Sequence, residues 1–408
     1  MSVNRSVLAL LSAVVLSFGS SLARAEWPTF ESRPPAVGGG SADVALVIGI
    51  EDYAMLEDVP GAAANAQAWY QWFLHGRKMR PDGVKLLTNN EGTPNGIREA
   101  AAELASKVGS GGTFWVVFIG HGAPAKDQSE GVLATWAAQQ TESDFYPATL
   151  KQSELAAAAK GGQANTVFVM DTGFSGKSSG GNVLIPGLQA TLLANGKVAS
   201  AAESATWLYA ASASQFAGPL PGSPVVRPAF SYLVLGALRG WADAEPWGDG
   251  DGRVTAQEAA DYAAGALGSF PRLGRKQSPE VDGRGDVALV SGARERGPDL
   301  SELASGSVST PRSPVAVAPV AAPVEPVVAP SSVVKVDLAA ARAAEAREKQ
   351  RISALKSQMK SDWAAISELL SMKAVAIADK QAQVDAFLTQ YKELSAEASY
   401  SAARSAVT

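Results

Sequence analysis

Cysteine is absent from all 408 residues. That excludes disulfides, thiolate metal sites and any cysteine nucleophile. Histidine occurs only twice, at His75 and His121, so any imidazole chemistry has two candidate carriers. There is no basic stripe, and the formal net charge is −5, which argues against a nucleic-acid surface. After the first 25 residues no run is long and apolar enough to cross a bilayer, so an integral membrane protein is not expected.

What is present begins with a tripartite leader. "MSVNRSVLALLSAVVLSFGSSLARAEWP" has a basic start at Arg5, an apolar run from Val7 to Phe18 and the small-residue pattern Ala23-Arg24-Ala25. The pattern is that of a secretory signal over residues 1–25, with the mature chain starting at Glu26 and residing in the periplasm or outside the cell. The apolar run is too short for the competing reading as an uncleaved anchor. A chain without thiols suits an oxidising compartment.

A Gly/Pro/Ser-rich lead-in (26–42) precedes a region, 43–300, in which buried strands alternate with amphipathic helices. Strands are expected at 44–50, 84–87, 113–120, 165–170 and 205–212, with "DVALV" (286–290) as an edge strand. Helices are expected at 61–74, 97–108, 230–238 and 255–264. Such alternation predicts an α/β fold, a mostly parallel sheet covered on both faces. Residues 301–332 repeat Pro among small residues and read as an extended spacer. Residues 333–400 form a Pro-free helical tail with two heptad rows. One row is Trp363, Leu370, Ile377, Val384 and Tyr391; the other is Met359, Ile366, Phe387 and Leu394, interrupted by Lys373 and Lys380. A short coiled coil or helical hairpin fits this pattern, with self-association through 350–395 as its consequence. A single helix docked on its own domain is the alternative.

His75 falls at a helix C-terminus, where an imidazole meets free carbonyls. His121 differs, because it directly follows a buried strand in "VVFIGHG" between glycines. The next strand ends in "VFVMDTGFSG" (167–176), so both loops are expected at one edge of the sheet, where α/β folds place their sites.

With those residues in view, the chain resembles the caspase-like peptidases, in particular the bacterial and metacaspase-type branch. "ALVIGIEDY" is similar to that family's first strand, "VVFIGHG" to its His-bearing strand and "VFVMDTGFSG" to its D-x-C-[HFY]-S-G segment. "AFSYLVLGALRG" (229–240) and "RKQSPEVDG" (275–283) resemble its late helix and Gln-Thr-Pro segment. The resemblance spans roughly 43–291 and implies a caspase-like three-layer sandwich. It implies His121 at the catalytic His position, Gly173 at the Cys position, and Asp171 where a carboxylate holds a basic side chain of the substrate. Glycine cannot attack a carbonyl, whereas the family's Cys does so as a thiolate. Thr172, Ser175, Ser178 and Ser179 are the hydroxyls nearest to it. Asn65, in "ANAQAW", stands where the family commonly carries Asp. If the pocket were otherwise intact, Gly173→Cys would be expected to create weak activity.

"WGDGDGRVTAQE" (247–258) is similar to an EF-hand loop. Asp249, Asp251, Thr255 and Glu258 take ligand positions, Arg253 supplies its carbonyl, and Trp247 stands where the first carboxylate belongs. The competing reading is a turn followed by a helix with a Thr255/Glu258 capping box. No cofactor is expected apart from calcium in this loop.

The function these features imply is that of an exported pseudopeptidase, a binding or regulatory module for a protein or peptide carrying basic residues. An active endopeptidase with an unrecognised nucleophile, and an adaptor that oligomerises through its tail, are the alternatives.

Overall fold

The computed structural model describes residues 25–30, 33–185, 205–271, 273–305 and parts of 351–392. The leader, the spacer beyond Ser305, Lys373 and Leu394 lie outside the described residues.

The chain enters through Trp27 and Val37, both buried in the main core, so this Gly/Pro/Ser-rich lead-in is packed against the domain. The Trp27 indole N–H donates to the carbonyl of Pro221 at 2.7 Å. β1 (Val44–Gly49) is buried along its whole length. It is followed by α1 (Ala62–His75), which sinks Trp69, Trp72 and Phe73 into the core and ends at His75. β2 (Val84–Thr88) leads to α2 (Pro94–Ala105). There Pro94 opens the first turn and the Thr93 hydroxyl accepts from Gly96 N–H at 3.0 Å, satisfying one of the helix's orphan donors. β3 (Thr113–Ile119) is again apolar throughout.

Three short strands follow, β4 (Gly122–Pro124), β5 (Gly131–Ala134) and β6 (Thr149–Lys151), forming a small antiparallel sheet. α3 (Glu142–Phe145) lies within that excursion, and α4 (Gln152–Ala158) leaves it. β7 (Asn165–Asp171) and β8 (Ala205–Tyr209) return to the main sheet. α5 (Ala229–Gly236) continues into Ala237–Trp241, where the chain kinks at Gly240 with φ 128°. β9 (Arg253–Thr255), α6 (Ala256–Gly268), β10 (Glu280–Gly283), β11 (Ala288–Ser291) and α7 (Leu300–Ser305) complete the domain.

The main sheet has the order β10-β8-β7-β3-β1-β2. Five strands are parallel, and only β10 runs antiparallel to β8. α1, α5 and α6 pack on one face while α2 and α4 occupy the other. This is the three-layer α/β sandwich with a mostly parallel sheet that the strand–helix alternation implies. Stacked aromatics reinforce its middle: Phe168 and Trp207, on adjacent strands, lie 3.7 Å apart at 9°.

One expectation is corrected. The segment at 286–290 does not border the main sheet, because β11 pairs antiparallel with β9 in a separate ribbon. The edge is β10, "EVDG", whose half-exposed polar residues suit an edge position and carry no apolar signature. The buried Leu303 of α7 belongs to the main core, so the folded unit runs to Ser305. In the tail, residues 361–367 and Ile377–Gln390 are helical.

Candidate binding site at the carboxyl end of the sheet

β3 and β7 are parallel neighbours in register, with Ile119 opposite Asp171. His121 and Gly173 therefore each stand two residues beyond a paired position, side by side where the strands end. The approach of the two loops is close. A Cβ placed on Gly122 would lie 2.9 Å from the carbonyl oxygen of Gly173. The structure thus brings together the three residues His121, Asp171 and Gly173, and all line one cavity of about 660 Å³.

His121 is buried and held from two sides. Its backbone N–H donates to the Tyr53 hydroxyl at 2.8 Å, and the two rings lie 4.8 Å apart. Its Nε2 is 2.6 Å from the Glu57 carbonyl. A carbonyl can only accept, so Nε2 carries the hydrogen in this contact, and Nδ1 is left as the ring's basic nitrogen. Tyr53 in turn donates to Ala134 O at 3.1 Å, and burial raises its phenol well above the ordinary value.

Asp171 is the last residue of β7 and is buried. Burial pushes its carboxyl up to about 6, while hydrogen bonds from the Ser231 side chain and backbone and the charge of Arg275 pull it back down. The Ser231 N–H, in the first turn of α5, donates to Asp171 Oδ2 at 2.7 Å, so the helix N-terminus faces the acid. Arg275 is itself lowered to about 10 by burial, against the opposing pull of Asp171. It is pinned behind the cavity by bonds of 2.7 Å to Gln277 Oε1 and to Pro219 O.

The departure at Asn65 now has a physical meaning. Its amide Nδ2 donates to Pro228 O and to Ser231 Oγ, each at 2.9 Å. It thereby anchors the start of the helix that presents Ser231 to Asp171. An Asp here would bring a carboxylate oxygen against the Pro228 carbonyl and lose both donors. Ser231, Arg275, Tyr53 and Glu57 are site residues that motif reading missed. Tyr53, Ser231 and Arg275 lie in segments already quoted for the resemblance (45–53, 229–240 and 275–283), but nothing in those segments marks them as partners of His121 or Asp171.

Gly173 holds the main correction. A Cβ built there would stand 2.7 Å from Phe216 Cα, 2.8 Å from the Gln215 carbonyl oxygen and 3.0 Å from Ala217 N. These are backbone atoms, which cannot swing aside as the tip of a side chain can. The volume of a nucleophilic side chain is occupied by the 215–217 segment. This packing works against the expectation that Gly173→Cys would create activity, because the 215–217 backbone must shift before any side chain fits there. Among the neighbouring hydroxyls, Thr172 donates to Gly173 O at 3.4 Å and Ser178 accepts from Asn182 N–H at 3.3 Å. The buried Ser175 Oγ has no hydrogen-bond partner.

In the EF-hand-like loop, Asp249 and Asp251 converge with Asp243, their ligand atoms lying within 4.8 Å of one another. Asp243 Oδ1 accepts from Gly252 N–H at 2.9 Å, so this carboxylate already braces the loop turn. Arg253 lies in β9, paired with Ser291. Thr255 and Glu258 form a capping box: Glu258 N–H donates to Thr255 Oγ1 at 3.2 Å and Thr255 N–H to Glu258 Oε2 at 2.7 Å. Glu258 is thus committed to the helix start and is not gathered with the three aspartates.

No known family profile matches the chain, and no curated protein sequence does. Among solved structures, the protein GSU0716 of Geobacter sulfurreducens is similar at 14% identity and a TM-score of 0.41, covering 62% of this chain and 97% of its own. Caspase-1 of Spodoptera frugiperda is similar at 12% identity and a TM-score of 0.37, covering 64% and 93%. The Drosophila initiator caspase Dronc is similar at 12% and 0.38, covering 68% and 95%. Among the described residues no helix is long and apolar enough to cross a membrane.

Proposed function

We propose that the chain is an exported, caspase-like pseudopeptidase, a regulatory or scaffold module that holds a peptide carrying Arg or Lys without cutting it. The observation that carries this reading is the pairing of a buried carboxylate, Asp171, with a closed nucleophile position, Gly173, in one cavity. Glu57 and Asp58 line the same cavity, as do Lys177 and Arg227; with Asp171 the acids outnumber the bases three to two, which favours a cationic side chain. Hydrolysis needs an attacking group within hydrogen-bond reach of a base, and at Gly173 there is neither the group nor the room for it.

The test is fluorescence anisotropy with a labelled short peptide carrying one internal Arg, compared with the same peptide carrying norleucine in its place. The Arg peptide should bind, and Asp171→Asn should weaken it by about tenfold, the loss of roughly one charge-assisted hydrogen bond. Because the Asp171 carboxyl lies at about 6, binding should strengthen from pH 5 to pH 7 as the anion forms. Equal binding of both peptides would refute the reading. So would cleavage of the Arg peptide that disappears in His121→Ala, which would establish the active-peptidase alternative.

A further inference from the structure

The tail forms a small core of its own. Met359, Trp363, Val384, Phe387 and Tyr391 are buried together, with Trp363 and Phe387 at 5.6 Å and Phe387 and Tyr391 at 4.9 Å. The Tyr391 hydroxyl donates to Asp362, tying the second helix to the first. Lys380, which breaks the heptad row, donates to the Leu370 carbonyl at 2.7 Å. Its ammonium therefore links the two helical segments of the tail across the seam. The apolar stripe that predicts a partner is already covered from within the chain, as a hairpin would cover it.

Two residues connect this small core to the rest of the molecule. Met55, in the loop after β1, packs against the tail cluster. Ala364, next to Trp363, lines the same cavity as His121, Asp171 and Gly173. Met55 lines it as well. The main core, by contrast, includes no buried residue beyond Leu303 among the described residues. The tail is thus a separately folded piece resting on the mouth of the candidate site. Residues 306–350 join it covalently to the domain, and such a tether gives an effective concentration of about millimolar order, enough to populate a weak contact.

We infer that the C-terminal helical segment is a lid: it covers the cavity at the carboxyl end of the sheet in the resting chain and competes with whatever enters there. This rests on the proposed function for what the lid controls, though the covering itself does not.

The absence of cysteine makes a clean test available, because any introduced thiol is the only one. Ser179 lines the cavity and serves as the reporter. In Ser179→Cys, maleimide labelling should be about tenfold slower in the full mature chain than in a chain ended after Ser305, the ratio expected when the covered state holds about nine-tenths of the molecules. Adding Ala364→Arg to the full chain should bring the rate close to that of the shortened chain, with helicity by circular dichroism retained. In a second chain, Met55→Cys with Ala364→Cys should be joined by a short bismaleimide into a cross-linked monomer. Equal labelling rates in full and shortened chains would overturn the lid. A covalent dimer would overturn it too, since the tail would then cover a second copy, and so would the absence of any cross-link. Binding of the Arg peptide to the shortened chain separates the two ideas. If it fails while protection of the reporter stands, the functional reading falls and the lid survives; the reverse pattern removes the lid alone.

Discussion

Asp43 and Asp171 are two buried acids at opposite edges of the parallel sheet, one before β1 and one ending β7, and they are answered differently. Asp43, just before β1, meets the Arg77 guanidinium and accepts the Thr113 N–H at 2.8 Å. Arg77 also donates to Leu289 O at 3.2 Å and lies 5.6 Å from the centre of the Trp115 ring. Asp171 has no ion pair in direct contact; an amide and a hydroxyl from α5 hold it, and a cavity opens beside it. One end of the sheet is sealed by matching charge with charge. At the other end a buried carboxylate, held by hydrogen bonds rather than by a cation in contact, stands beside open space.

The largest effect should come from breaking the sealed end. Arg77→Ala leaves Asp43 buried without its cation and should cost about 3–5 kcal/mol, read as a fall in the midpoint of urea unfolding. A change below about 1 kcal/mol would mean that water reaches Asp43 and that the two ends are not so different.

Asp171 sharpens the comparison through pH. Its folded value is above its unfolded one, so the neutral acid is favoured in the fold. Its contribution is fully present below about pH 4 and is lost as pH rises through about 6. The difference between about 6 and the ordinary 3.8 corresponds to about 3 kcal/mol. Asp171→Asn should therefore gain stability relative to the wild type between pH 4 and 7, then hold that gain. Parallel stability profiles for the two proteins would show that the carboxylate is as well solvated as one at the surface.

The smallest expected effect is at Gly173. Gly173→Ala forces the 215–217 backbone to move and should cost about 1–3 kcal/mol, the usual range for overpacking. A neutral substitution, measured by thermal unfolding, would show that the loop retreats freely and that the space beside position 173 is available.

How much of this was legible in the sequence follows from what kind of signal each part leaves. Four of the five parallel strands, β1, β3, β7 and β8, are buried runs rich in β-branched and aromatic residues, and burial on both faces demands such runs. The sheet of β4, β5 and β6 was missed because three- and four-residue strands containing Gly and Pro hold too few residues to show a period. β10 was missed because an edge strand is polar on purpose. At the site, His121, Asp171 and Gly173 were readable because the strands deliver them in order. Ser231, Asn65 and Arg275 were not, since their roles depend on distances that close only in the fold. Asn65 looked like a loss and turned out to hold a helix start; Lys380 looked like a flaw in a seam and links its two sides.

The backbone of Gln215–Ala217 against Gly173 has a historical consequence. A single codon change to cysteine would meet a collision rather than a waiting pocket, so it would be penalised before it could be useful. Any side chain at this position would require the 215–217 loop to withdraw first. The packing works as a ratchet: it makes the glycine hard to replace by any one-step path.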